Sequence, residues 1–411
     1  MRRITTSDMY VRTRRVADWQ SCTNATFASP NEQQTLIRSR CRMSDRVSRR
    51  SQFIDASRGL AMLFVFVSHF AIAYFDAWRD SRHGHIASLL ALPSTPTFVL
   101  LSGLLVGFLS VQSSASFANL TVKLMDRGLF LLVPAHALIM IAHVVIFGHA
   151  RFIFITDAIG VCILLGPWLI TRMSPGGRFL LGVALIALSW RLYLTWSPVS
   201  ASGRWVHSAL LGDQPFANGW LTFPIIPWLG CYLLATPLGE ALARWRRITG
   251  DGFIPRLAAV SICAIAVGVL LHGLSRHSAG GLHPLLSAGQ KYPPSPSFML
   301  TSGGLGLGVT AVMAWVEQRK LFPSLMAALA RIGRCSLVVF LVQYFVYYVV
   351  VYSLRLPLSH WWPIYLAVSV AFIYGVAYGW DRYVGNEYLT VGLPYLIRAP
   401  SAEPASNLQL R

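Results

Sequence analysis

Ten apolar runs, each near the ~20 residues that a helix needs to cross a bilayer core, dominate this chain of 411 residues. They fall near residues 54–75, 93–112, 128–148, 152–171, 178–196, 220–243, 255–273, 297–316, 331–353 and 361–381. Backbone in lipid has to satisfy its own polar groups, so runs of this length read as helices packed together. Composition agrees: 55% of residues are hydrophobic and 12% charged, against about 25% charged in a soluble domain. The expected fold class is all-α, a polytopic transmembrane helical bundle of about ten spans over residues 51–385.

The formal net charge of +19 could point to nucleic acid, but its distribution does not. Arginine crowds the N-terminal tail, and arginine with a few lysines the alternate gaps between the apolar runs, as the positive-inside rule expects. With the tail inside, the tail and Arg58 hold 12 of the 35 cations, and the inward gaps and C-terminal end hold another 15. Ten spans with both termini cytoplasmic follow, and no nucleic-acid partner is expected. Residues 1–50 carry eleven arginines and few acids, a composition like a transit peptide, without the apolar stretch of a secretory signal. They read as a disordered cytoplasmic extension, or as residues upstream of a start at Met43. Residues 386–411 form a short cytoplasmic tail. The six cysteines (Cys22, Cys41, Cys162, Cys231, Cys263 and Cys335) are scattered singly. They suggest neither a disulfide framework nor a metal site.

The first span carries the clearest chemical signal. It reads Ile54-Asp55-Ala56-Ser57-Arg58-Gly59, then a mostly apolar stretch, then His69-Phe70. Eleven helical steps of ~100° overshoot three turns by only about 20°, so Arg58 and His69 share a face, roughly 16 Å apart along the axis. Asp55, three residues before Arg58, lies on the same stripe. Ionisable groups within a spanning helix are costly and mark functional sites. A neutral imidazole there suits a general base, and Arg58 suits an anionic ligand or orients Asp55. Snorkelling of Arg58 to headgroups and a structural hydrogen bond from His69 are the plain alternatives.

Other segments add polar groups. Gly103 and Gly107 form a small-residue face for close helix packing, with Ser102 beside them able to bond a substrate. Phe223-Pro224-Ile225-Ile226-Pro227-Trp228 sets two prolines in an apolar stretch, tolerated where backbone lines a cavity or a neighbouring helix rescues it. Trp228 reads either as an interfacial anchor or as a stacking surface for a ring. In Lys291-Tyr292-Pro293-Pro294-Ser295-Pro296 the prolines stiffen a loop that offers a cation and a hydroxyl at the membrane surface. Gaps 76–92, 197–219 and 274–296 face outward and hold His83, His85, His207, His277 and His283.

In this order Ile54–His69, Phe98–Gly107, Phe223–Gly230, Lys291–Phe298 and Ile332–Gln343 resemble bacterial relatives of heparan-alpha-glucosaminide N-acetyltransferase, a group similar to the acyltransferase-3 membrane enzymes. The resemblance runs from about residue 52 to 350, with Gln343 standing where relatives often have histidine. It implies a bacterial plasma-membrane acyltransferase that takes acetyl-CoA or another acyl-CoA from the cytoplasm and acylates a sugar, amine or hydroxyl acceptor, glycan-linked or small, on the far side. It makes His69 the catalytic base or transient acyl carrier and Arg58 its partner, with Asp55 supporting. His83 and His85 are competing positions for the reactive histidine. Arg58, Lys291 and Tyr292 are the expected donor contacts, and Ser102, Trp228 and His83 the expected acceptor contacts. A transporter or flippase for an anionic or glycan-linked solute is the alternative, its stripe lining a permeation path. Oligomeric state is not legible.

Overall fold

A computed structural model describes residues 52–74, 86, 89, 92–112, 117–148, 153–212, 223–275, 282–291, 293–351 and 362–384. His83, His85 and Tyr292 lie outside them, as do both tails. The described residues fold into an all-helical bundle. Nine helices are long and apolar enough to cross a membrane, or ten if one sharply bent pair counts as a single span.

Helix α1, Gln52–Tyr74, starts at the arginine-rich end. Its first backbone N–H groups have no partner within the helix. The carboxylate of Glu317 accepts from Gln52 N at 3.3 Å and Phe53 N at 2.7 Å, capping the start from another helix. Helix α2, Ser94–Gln112, returns beside it. Helices α3, Phe117–Phe130, and α4, His136–Phe147, form one span through a π-helical turn at Leu131–Ala135. Pro134 sits in that turn, where its missing N–H and its ring disturb the regular ladder. Helices α5, Ile155–Arg172, α6, Pro175–Thr195, and α7, Ala201–Leu211, follow. Ser174 and Ser200 cap α6 and α7 by accepting from Gly177 N and Gly203 N, both at 3.1 Å.

Helix α8, Ile225–Thr249, packs against α2 through the small-residue face. Cβ atoms on Gly103 and Gly107 would collide with the Tyr232 and Thr236 carbonyls, and one on Gly239 with the Leu104 carbonyl, so glycine sets the spacing. The two prolines foreseen as breaks do not break this helix. Pro224 precedes it in extended backbone and Pro227 falls in its first turn, where an N–H has no intrahelical acceptor to lose. Helices α9, Phe253–Ser275, α10, Leu282–Leu286, and α11, Pro296–Gln318, complete the middle of the chain.

The expected span at 331–353 takes a different form. Amphipathic helix α12, Pro323–Arg334, bends by 76° into α13, Ser336–Tyr344, which continues as a π-helical stretch, Phe345–Val351. Helix α12 crosses α1 at two glycines. A Cβ on Gly59 would strike the Leu329 carbonyl, and one on Gly333 the Asp55 carbonyl. Helix α14, Trp362–Gly379, ends in the π-helical turn Trp380–Val384. There Asp381 receives Arg334 Nη2 at 2.7 Å and Arg331 Nε at 3.2 Å, holding α12 to the end of α14.

One charge counted among the inward gaps is inside the bundle. Arg178, 1% exposed, donates to Thr236 Oγ1 at 3.0 Å and to the Glu240 carboxylate, itself 6% exposed. Arg244 reaches the other oxygen of Glu240 at 3.3 Å. Desolvating this arginine is tolerable because its charge is paired and hydrogen-bonded.

Candidate functional site

The stripe on α1 opens onto a cavity of about 240 Å³ enclosed by α1, α2, α3, α4, α5 and α13, with Phe223 and Lys291 at its far end. Arg58 and His69 both line it, as do Ser102 and Lys291. Arg58 Nη2 donates to Ser336 Oγ at 3.0 Å, fixing the guanidinium at the bend between α12 and α13. Ser102 Oγ donates back to Phe98 O at 2.8 Å.

The remaining candidates lie elsewhere. Asp55 is 4% exposed, at the α1–α12 crossing rather than on the cavity wall, within electrostatic reach of Arg334. Trp228 is wholly buried in an apolar cluster with Val99, Tyr232 and Phe298 and does not line the cavity. Gln343 is wholly buried beside Tyr344, which does line it.

Several lining residues were not singled out from the sequence. Arg127, from α3, adds a second arginine. His143, from α4, is 1% exposed, its ring 5.6 Å from Phe154 and 5.9 Å from Tyr344. Two turns earlier on the same helix, His136 Nδ1 lies 2.9 Å from Asp157 Oδ2, which also accepts from Phe154 N at 2.7 Å and so ties α4 to the start of α5. The signal that singled out His69, an imidazole in an apolar run, applies equally to His143. Hydropathy starts the third span at 128, one residue after Arg127, and so assigns that arginine to a loop.

The cavity is polarised along its length. Arg58 lies six residues into α1 from the arginine-rich end, and Ser336 lies beside it. His69 and His143 lie within about a turn and a half of the opposite helix ends. Ser94 and Thr156, at the first turns of α2 and α5, share that opposite end with Lys291. The lining carries Arg58, Arg127 and Lys291 with two imidazoles and no carboxylate among its described residues. In a low-dielectric interior such a set attracts an anion strongly. The imidazoles add groups that exchange protons near neutral pH. Among the described residues no cluster of three His, Cys, Asp or Glu could hold a metal ion.

The loop bearing Lys291 is held firmly. Ser295 N bonds to Gln290 O at 3.0 Å, Ser295 Oγ to Ser287 O at 2.6 Å, and Trp190 Nε1 to Pro294 O at 3.1 Å. Lys291 is thereby presented at the cavity from a braced turn rather than a loose one.

No curated protein matches the chain. The family model for heparan-alpha-glucosaminide N-acetyltransferase, catalytic, matches residues 50–265. That match, just over half of the chain, includes Arg58, His69, Ser102, Arg127 and His143. The chain belongs to this family of membrane acetyltransferases.

Proposed function

We propose that this enzyme takes acetyl-CoA from the cytoplasm, at its arginine-rich end, and acetylates a hydroxyl or amine at the opposite side of a bacterial plasma membrane. The observation that carries the reading is that Arg58 and His69 line one cavity, about 16 Å apart along α1. That is about the length of the pantetheine arm between the thioester of acetyl-CoA and its pyrophosphate. Arg58 and Arg127 then meet the phosphates, while the arm runs past Ser102 and Ser336 to bring the thioester to His69.

In this reading the His69 imidazole accepts the proton of the acceptor N–H or O–H as its heteroatom attacks the thioester carbonyl. The tetrahedral intermediate collapses with cleavage of the C–S bond, and the imidazolium returns the proton to the departing thiolate. The nearby Lys291 and His143 supply positive or hydrogen-bonding character where the oxyanion forms. Arg58 is too far along the helix to touch the reacting carbon, so its part is to hold and orient the donor. Asp55, buried at the α1–α12 crossing, acts on the position of α1 rather than on substrate. His83 and His85 are the replacements to examine if His69 proves dispensable, and Lys291, read from the sequence with Tyr292 as a donor contact, acts in this reading at the acetyl end of the donor rather than at its phosphates.

The test is to reconstitute purified protein in liposomes with acetyl-CoA labelled in the acetyl group. Release of CoA with labelled acceptor is expected, and labelled histidine would mean instead that His69 carries the acetyl group covalently. Movement of a solute across the liposome without CoA release would favour the transporter reading and overturn this one.

A further inference from the structure

The turn that leads into Lys291 is tied to a neighbouring helix by a histidine. Ser287, Ala288, Gly289 and Gln290 form a β-turn, closed by Gln290 N donating to Ser287 O at 3.2 Å. Gly289 N turns to Ser287 Oγ at 3.4 Å. The N–H of Ala288 takes no part in the closing bond. It donates instead to His272 Nδ1, 3.2 Å away in the last turn of α9. A backbone N–H can only donate, so Nδ1 carries the lone pair and the ring has its proton on Nε2. Ser275 Oγ lies 3.4 Å from the same nitrogen but donates to His272 O at 2.7 Å, so it does not compete for that lone pair. Lys291 follows directly after the turn, and beyond it Trp190 Nε1 holds Pro294 O at 3.1 Å. Lys291 thus stands between two anchors, His272 of α9 and Trp190 of α6. Lys291 lines the cavity and neither anchor does.

Resting on the acetyltransferase reading above, we infer that His272 is a positioning residue for Lys291. It sets the place of the ammonium at the acetyl end of the donor without touching donor or acceptor itself. A lysine carries its charge on a flexible four-carbon stem. Such a charge stabilises an oxyanion well only if it already stands in place when the oxyanion forms. The bond from Ala288 to His272 takes freedom from the backbone three residues before Lys291. Displacing a positioned group by about 1 Å costs up to ~10²-fold in rate. Losing one anchor of two leaves the Trp190 contact in place, so the expected cost is smaller. It falls on kcat, because the phosphates of the donor are held elsewhere, by Arg58 and Arg127.

The experiment reads CoA release by the full chain in nanodiscs, with glucosamine, ethanolamine and glycerol as acceptor probes. His272→Leu and His272→Asn have nearly the same shape, but only Asn offers an acceptor oxygen where Nδ1 stands. His272→Leu is expected to lower kcat about tenfold with the KM for acetyl-CoA close to that of the wild type, whereas His272→Asn keeps the wild-type kcat. His272→Ala replaces the Leu variant if that one fails to fold. Lys291→Met lowers kcat about 10²-fold. Adding His272→Leu to Lys291→Met then costs nothing further, because the histidine acts through the ammonium that is already gone. A full additional loss in the Lys291→Met background overturns the inference, as do equal rates for the Leu and Asn variants. A wild-type kcat in Lys291→Met also overturns it, while acetyl transfer stands. A wild type that releases no CoA with any of the three probes overturns the acetyltransferase reading itself, and this inference with it.

Discussion

The Arg58 guanidinium donates to the Ser336 hydroxyl across 3.0 Å, linking the first span to the bend where α12 turns into α13. Both groups also line the cavity, so a ligand that draws on Arg58 pulls on the same junction. Arg58→Gln is expected to raise the KM for acetyl-CoA at least tenfold. Ser336→Ala, which leaves the charge but loosens its placement, should raise it only a few-fold. Steady-state kinetics with varied acetyl-CoA checks both, and Arg58→Lys separates charge from geometry because ammonium lacks the planar fork.

Arg127 shares the cavity with Arg58 but belongs to another helix. If the two arginines hold one polyanion, their effects are coupled. The double variant Arg58→Gln with Arg127→Gln should then depart from the sum of the single losses, as residues acting on one partner do. A double-mutant cycle on acetyl-CoA affinity measures this directly, and strict additivity would mean that the two arginines act on separate groups.

The crossing of α1 and α12 leaves no space for a methyl group. Gly333→Ala would drive a Cβ into the Asp55 carbonyl, and Gly59→Ala one into the Leu329 carbonyl. Each substitution should cost about 1–3 kcal/mol, the usual penalty for overpacking. A thermal unfolding series in detergent, with Gly273→Ala as control, reads the loss, since nothing lies within 4 Å of a Cβ at Gly273.

The buried pair of Arg178 and Glu240 gives a sharper stability test. Removing one partner strands the other charge in the bundle, at a cost of about 3–5 kcal/mol. Arg178→Met alone should therefore reduce the amount of folded protein recovered more than Arg178→Met combined with Glu240→Leu. Arg244 limits the recovery, since it loses its own contact with Glu240 in the double variant.

How much of this was legible beforehand depends on which physical signal each residue leaves. Arg58 and His69 sit on one helix, so the 3.6-residue period alone sets them on one face. The crowding of cations into the tail and alternate gaps is what suggested the alternation of spans. A window of average hydropathy sees only runs, and it read through the bend at Cys335 and cut the third span just after Arg127. Arg178 looked like one more loop cation because its partner Glu240 lies 62 residues away, on another helix. Trp228 seemed suited to stacking on a ring, but aromatic side chains bury well in apolar surroundings, and this one fills the interior between α2, α5 and α8.

The most direct test is acetyl transfer by His69→Ala, with the full chain in nanodiscs at matched abundance and matched thermal stability. Loss of a positioned acid–base group should slow the reaction by about 10²–10⁴-fold while leaving acetyl-CoA binding close to that of the wild type. A His69→Ala protein that transfers acetyl at the wild-type rate would contradict the assignment of the chemistry to His69.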